Sequence, residues 1–211
     1  MAVISLKNIN KKYGDKVIFD NYSLDIEEGE FISISGESGK GKTTLLNIIG
    51  FLEKPDSGDV SLLDVKNAKF TSSSARNIRR NKLSYLFQNY GLIDNETVEN
   101  NLMLSMEFSD YTKQQKKEKI KEVLDRINLQ GFEHKKIFML SGGEQQRIAL
   151  AKIILKSPDI ILADEPTGSL DEGNRDFVLN ELKKMNEEGK TIVVVTHDKV
   201  VEKCAKRNIC L

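Results

Sequence analysis

Two five-residue runs, "DIILA" (Asp159–Ala163) and "TIVVV" (Thr191–Val195), are almost wholly apolar. A strand with water on one face would alternate, because successive side chains point to opposite faces. Continuous apolar runs suit strands covered on both faces, the condition of a parallel sheet flanked by helices. The segment from about Asn174 to Glu188 lies between them and reads as the crossover helix that parallel pairing demands. "FISIS" (Phe31–Ser35) and "LSYLF" (Leu83–Phe87) are two more apolar-rich strands. The chain is therefore expected to fold as α/β, around a mostly parallel sheet.

The remaining stretches have a different texture. Val3–Ile9, Val17–Phe19, Ser23–Ile26 and Val60–Leu63 read as short strands, broken by turn formers such as "YGDK", "DN" and "EKPDSG". From about Glu96 to Leu155 the pattern is helical. Within "KQQKKEKIKEVLDRINL", Ile120, Val123, Leu124 and Ile127 fall at i, i+3, i+4 and i+7, which makes one apolar face. The lysines of that stretch are interspersed with Glu118, Glu122 and Asp125, so they form a solvated face and not a nucleic-acid stripe. Lys plus Arg and Asp plus Glu both number 32, so no global field draws the chain to nucleic acid. No apolar run is long enough to span a bilayer, and the N-terminus lacks the pattern of a signal peptide. A cytoplasmic location is expected, with Cys204 and Cys210 as free thiols.

The polar residues that could do chemistry stand at strand ends. "FISIS" runs into Gly36-Glu-Ser-Gly-Lys-Gly-Lys-Thr43, which fits G-x-x-x-x-G-K-[ST], and Lys42–Gly50 then reads as a helix. The glycines let backbone N–H groups converge on a phosphate while the helix presents its positive end. Lys42 can reach β- and γ-phosphates, and the Thr43 hydroxyl can ligate Mg²⁺. Asp164 ends "DIILA", where a buried carboxylate needs a cation partner. Glu165 follows and can act as general base for water attacking a γ-phosphate. Gln88 follows "LSYLF" and His197 follows "TIVVVT". In open α/β sheets that carboxyl edge is where ligands bind.

"LSGGEQQR" is a second anion site, offering Ser141 and the backbone N–H groups of Gly142 and Gly143 at a helix start. It stands about a hundred residues from the first. One γ-phosphate could meet both if two copies packed head to tail, each capping the other's nucleotide.

Over essentially its whole length the chain resembles the nucleotide-binding subunits of ATP-binding cassette (ABC) transporters. "GESGKGKT" resembles their Walker A motif, "LSGGEQQR" their signature, "IILADE" their Walker B with its glutamate, and "GSLD" (Gly168–Asp171) their D-loop. The resemblance implies a P-loop NTPase (RecA-like) core with an antiparallel β-subdomain and an inserted helical subdomain. That division would put 1–95 and 157–211 in the core and 96–156 in the helical part. It implies that Gly36, Glu37, Ser38, Gly39, Lys40, Gly41, Lys42, Thr43 and Thr44 hold the phosphates of ATP, with Tyr13 stacked on adenine beside Val17. Thr43, Gln88 and Asp164 are then the Mg²⁺ residues, and Gln88 also links nucleotide to the membrane partner. Glu165, His197 and Lys42 are the catalytic set. Ser141, Gly142, Gly143, Glu144 and Asp171 would address nucleotide from across an ATP-dependent head-to-tail homodimer.

The implied partners are a second copy and an integral-membrane permease on another chain, with no nucleic acid. The implied location is the cytoplasmic face of the membrane. Lys40 stands where a serine is common, which alters phosphate-side charge. "KKIFM" lacks a frequent Pro-containing lead-in to the signature. The end at "RNICL" argues against importers with a C-terminal regulatory domain. "GFLEKPDSG" and "FQNYGLI" look most like the subgroup serving lipoprotein release, macrolide efflux and peptide or bacteriocin export, with an importer role as the alternative. A soluble P-loop kinase would account for Gly36–Thr43 but not for "LSGGEQQR". A DNA-repair ATPase would carry a longer insertion.

Overall fold

The computed structural model describes residues 2–63, 65–66, 70–168 and 170–211. Strands β1 (Ala2–Tyr13) and β2 (Lys16–Glu27) form a long antiparallel hairpin. The sequence reading expects separate strands at Val17–Phe19 and Ser23–Ile26; the structure makes them one. Asn21 lies at one of the hairpin's register shifts, a bulge with φ +52°, and its N–H donates to Asn10 Oδ1 at 2.9 Å. Asparagine tolerates the left-handed region, so the "DN" signal marks a bulge and not a chain reversal.

Five parallel strands make the main sheet. They are β3 (Phe31–Ser35), β6 (Leu83–Leu86), β7 (Ile160–Asp164), β8 (Thr191–Val195) and β9 (Arg207–Cys210), in the order β6-β7-β8-β3-β9. β9 was not read from the sequence, since "RNIC" has a single large aliphatic residue; it pairs with β3 from Ile32↔Arg207 to Ser35↔Cys210. β4 (Ser57–Leu62) and β5 (Val65–Lys66) join the hairpin in an antiparallel sheet ordered β2-β1-β4-β5.

Alternation along the parallel strands feeds two cores. Ile32, Ile34, Ile160, Leu162, Val193 and Val195 pack into one, together with Leu45, Leu46, Ile48 and Ile49 of α1 (Lys42–Ile49) and the hairpin. Their neighbours Phe31, Ile161, Ala163, Ile192 and Val194 pack into the other, against α5 (Gly142–Lys156) and α6 (Glu172–Glu187). Each fully buried aliphatic side chain contributes roughly 2 kcal/mol of transfer energy. Both faces are covered, as the apolar runs require.

A third core belongs to helices α3 (Val98–Ser105), α4 (Lys113–Arg126) and α5. Ile120, Val123, Leu124 and Ile127 all lie in it, as their spacing predicts. Helix α5 serves two cores: Ile148 and Ala151 face the helical cluster, while Ala149, Leu150 and Ile153 face the sheet. Short α2 (Ser73–Asn77) and a π-helical turn (Ile78–Lys82) lead into β6, and α7 (Lys199–Cys204) precedes β9.

One buried ion cluster spans these layers. Glu181 of α6 is 2% exposed and accepts from Arg126 Nε of α4 and Lys184 Nζ, both at 2.7 Å. The two cations remain partly in water, so truncating Glu181 strands no fully buried charge. Glu181→Ala is expected to cost about 2 kcal/mol and lower the Tm by roughly 5 °C, below the cost of breaking a wholly buried pair. A thermal melt of the purified variant checks this; an unchanged Tm would show that the cluster adds nothing to the fold.

Candidate functional site

The glycine loop opens α1 with Gly41 at the N-cap position, φ +93°, and no side chain capping the first turn. A Cβ at residue 41 would overlap Ile18 Cγ2 and crowd the Phe19 ring, so only glycine fits this backbone against β2. The uncapped N–H groups and the helix's positive end therefore face the loop. Lys42 is buried, and its ammonium spans the loop by donating to the carbonyls of Gly36 (2.7 Å) and Glu37 (3.0 Å).

The ends of β7 and β8 supply the acids and the imidazole. Asp164, 8% exposed, is pushed above the usual carboxylate range by burial, with the Thr43 hydroxyl and the Lys42 charge opposing. Burial also raises the Glu165 carboxyl, against the His197 N–H and the His197 charge. Glu165 adopts φ +47°, a left-handed conformation costing roughly 1 kcal/mol or more in a non-glycine residue. Its own N–H donates to Val195 O at 2.9 Å. Its carboxylate then stands between the His197 N–H (3.3 Å from Oε2) and His197 Nε2 (3.4 Å from Oε1). The sheet edge thus sets carboxylate and imidazole against each other.

A cleft of about 1000 Å³ gathers these groups. Tyr13, Ser38, Gly39, Gly41–Thr44, Gln88, Asp164, Glu165 and His197 line it. The Tyr13 phenol is pinned by Glu53 and by Thr44 Oγ1 at 3.4 Å, with Lys11 Nζ 5.0 Å from the ring centre. Val17, 63% exposed, stands on β2 beside Tyr13 but does not line the cleft; neither do Gly36, Glu37 and Lys40. Lys16, Thr167, Arg175 and Asp198 do line it and were not singled out from the sequence. Proximity to Tyr13 and His197 could have found Lys16 and Asp198; nothing in the sequence marks Arg175.

The second glycine stretch lies elsewhere. Ser141, Gly142, Gly143 and Glu144 do not line the cleft. Ser141 caps α5, and Glu144 closes a capping box, accepting from the Ser141 N–H (2.7 Å) and hydroxyl (2.8 Å). These bonds hold the Glu144 carboxyl below its usual range and give it a capping role within this chain. Asp171 caps α6 and also stands outside the cleft. Within "GSLD", position 169 falls outside the described residues. Gln146 ties α5 to the loop after Glu165, donating to Pro166 O at 2.6 Å. His134 is exposed, 3.8 Å from Glu99.

The donor chemistry suits a hard cation. Thr43, Gln88 and Asp164 bring hydroxyl, amide and carboxylate oxygens to one cleft. Among the described residues no cluster of His, Cys, Asp or Glu could hold a metal unaided. A cation there would share its ligands with phosphates and water, the habit of Mg²⁺.

Fold and site together define a P-loop nucleotide-binding protein. Residues 19–168 match the sequence profile of the ABC transporter family. The chain belongs to that family and carries its ATPase site. It is 42% identical over 218 residues to the ABC transporter ATP-binding protein MJ0796 of Methanocaldococcus jannaschii, covering 99% of this chain and 93% of that one. It is 41% identical over 207 residues to the macrolide export ATP-binding/permease protein MacB of Campylobacter jejuni, covering 98% of this chain but 32% of the relative. The chain thus spans about a third of the MacB proteins it matches. Among solved structures, MJ0796 in a dimeric post-hydrolysis state with ADP and Pi superimposes with a TM-score of 0.90 at 40% identity, covering 99% of this chain and 94% of that one. Among the described residues no helix is long and apolar enough to cross a membrane.

The raised carboxyl of Asp164 has a consequence for stability. A folded pKa above the ordinary 3.8 means that ionisation opposes folding increasingly as pH rises from 3.8, and in full once pH exceeds the raised value. Asp164→Asn should therefore raise the Tm of the nucleotide-free protein near neutral pH by about 2 °C, and the gain should vanish in acid. The same variant should lose Mg²⁺-dependent strengthening of ATP binding. Melts at two pH values and calorimetry with and without Mg²⁺ check both; a lower Tm at neutral pH would contradict the electrostatic account.

Proposed function

We propose that this chain is the motor subunit of an export system, hydrolysing Mg-ATP as a head-to-tail homodimer beneath a permease on a separate chain. The carrying observation is the separation of its two anion sites. Lys42, Thr43, Asp164, Glu165 and His197 converge in the chain's own cleft, while Ser141–Gly143 stand outside it with Ser141 and Gly142 exposed. A second copy turned by a two-fold axis would bring each exposed helix start to the other's nucleotide, twice over. The dimeric form of MJ0796 and the MacB names support the dimer and the export direction. In this proposal 1–95 and 157–211 form the core and 96–156 the helical part, and the subunit sits at the cytoplasmic face of the membrane.

In this reading the loop N–H groups and Lys42 hold the β- and γ-phosphates, and Lys42 exchanges its carbonyl partners for phosphate oxygens. Mg²⁺ at Thr43, Gln88 and Asp164 would neutralise charge on those oxygens. Glu165 takes a proton from the attacking water, and His197 orients the Glu165 carboxylate. Tyr13 offers its fixed ring to the base. The Ser141 hydroxyl and the Gly142–Gly143 N–H groups of the other copy close over the γ-phosphate and exclude water.

The permease face is assigned to a groove of about 480 Å³ beside Gln88, rimmed by the exposed side chains of Leu52, Phe87, Leu104 and Phe108. Lys152 and Lys156 of α5 lie in its floor; burial and the Lys152 charge push Lys156 down to about 8. An apolar groove joined to the nucleotide cleft by one residue step, Phe87 to Gln88, suits transmission of nucleotide state to another chain.

Glu165→Gln is expected to retain ATP binding and slow hydrolysis by about 10²–10⁴. Because burial raises the Glu165 carboxyl above 4.5, wild-type kcat should fall as pH drops through that raised value, and the limb should disappear in the variant. A near-wild-type rate in Glu165→Gln would move the base elsewhere. Ser141→Arg should leave ADP affinity unchanged and abolish the ATP-dependent dimer on sedimentation. Full hydrolysis by a monomeric Ser141→Arg protein would overturn the shared site.

A further inference from the structure

Outside the cleft, one polar side chain touches both of the elements that the shared-site reading sends to the partner. The Asn174 carboxamide, on the first turn of α6, accepts from Arg147 Nε (3.0 Å) and Nη2 (2.9 Å) through Oδ1. Its Nδ2 donates to Asp171 Oδ2 at 2.7 Å, and its backbone N–H donates to Asp171 Oδ1 at 2.8 Å. Arg147 belongs to α5, lies 4.6 Å from the Phe177 ring and also donates to Ile127 O at the end of α4 (3.3 Å). The amide packs directly on Gly143: a Cβ at that residue would overlap Asn174 Nδ2, Cγ and Oδ1.

The chemistry of this junction is restrictive. A guanidinium only donates and an ionised carboxylate only accepts. The group between them must accept on one side and donate on the other, within the space that Gly143 leaves. A carboxamide meets that demand; a carboxylate or an aliphatic side chain does not. The bonds to Asp171 also hold its carboxyl below the usual range, so it stays ionised and keeps its acceptor role.

We infer that Asn174 is a positioning residue that locks the Ser141–Gly143 helix start to the Asp171 cap, so that both reach the partner's nucleotide as one preset edge. The inference rests on the shared-site reading above. Helices α5 and α6 pack into the same core of the main sheet, and Asn174 fixes their tips together before any partner arrives.

The test uses the full chain in a Glu165→Gln background, with sedimentation in Mg-ATP. Asn174→Asp keeps acceptors for Arg147 but sets a carboxylate against Asp171. The dimer dissociation constant should rise about tenfold or more, the scale of one charge-assisted hydrogen bond lost and a repulsion gained. ADP affinity of the single chain, measured by calorimetry, should not change. A thermal melt of Asn174→Asp should stay within about 2 °C of the parent, so that the weakening reports the contact. A parent that stays monomeric in Mg-ATP overturns the shared-site reading and this inference with it. A parent that dimerises, with Asn174→Asp dimerising equally well, overturns this inference alone. Weakening accompanied by a larger fall in Tm also overturns it, because the defect would then lie in the fold and not in the contact.

Discussion

A parallel sheet with both faces buried confines charge to the ends of its strands, and here the cleft forms at their carboxyl ends. Inside, β7 and β8 have every residue buried, and their alternating side chains serve two different cores. Charge can enter only where the strands stop. Asp164 stands at that limit: it is the last residue of β7, buried, and unfavourable as an ion unless a cation is near. Lys42 and Thr43 meet it because β3 lies one strand beyond β8, so the glycine loop opens toward the same edge. The strained backbone of Glu165 follows from the same geometry. The chain must turn off the sheet at once, and the left-handed φ sets its carboxylate facing His197 at the end of β8.

Much of this is legible in the sequence, for identifiable reasons. Apolar runs announce buried strands, and a motif wedged between strand and helix announces a phosphate loop, because both depend on neighbours along the chain. Gly41–Thr44, Gln88, Asp164, Glu165 and His197, which line the cleft, are legible on that ground. Less local features are not. β9 depends on the exposed edge of β3 and not on its own four residues. The "DN" stretch carries a turn signal that the long hairpin overrides, since one bulge preserves pairing on both sides of Asn21. Lys16 and Arg175 reach the cleft through tertiary placement alone. Glu144 could have been read from S-x-x-E as a capping box, a mechanism independent of nucleotide.

Helix α5 joins the pieces. At its base Lys156 donates to the carbonyls of Arg79, just before β6, and of Leu83, its first residue, while Lys152 donates to Gly91 O beyond Gln88. Along its length it packs on both the sheet and the helical cluster. At its tip Gln146 holds the loop after Glu165, and Arg147 holds Asn174. The helix is therefore fastened at points that also touch the cleft, the groove and the cap of α6.

Those fastenings bear on how a split site can work. An anion site built on a loose helix would have to order itself each time a nucleotide arrived, and the ordering entropy would weaken the association. Here the first turn of α5 is already capped by its own serine and glutamate and buttressed by the Asn174 amide against Gly143. On the shared-site reading, a partner's γ-phosphate meets donors whose positions were set when the chain folded. The attraction between that phosphate and a preset helix start then goes into closing the dimer instead of shaping the site. Loss of the γ-phosphate removes the bridge while leaving each helix start intact, so closure and reopening follow the nucleotide without local refolding.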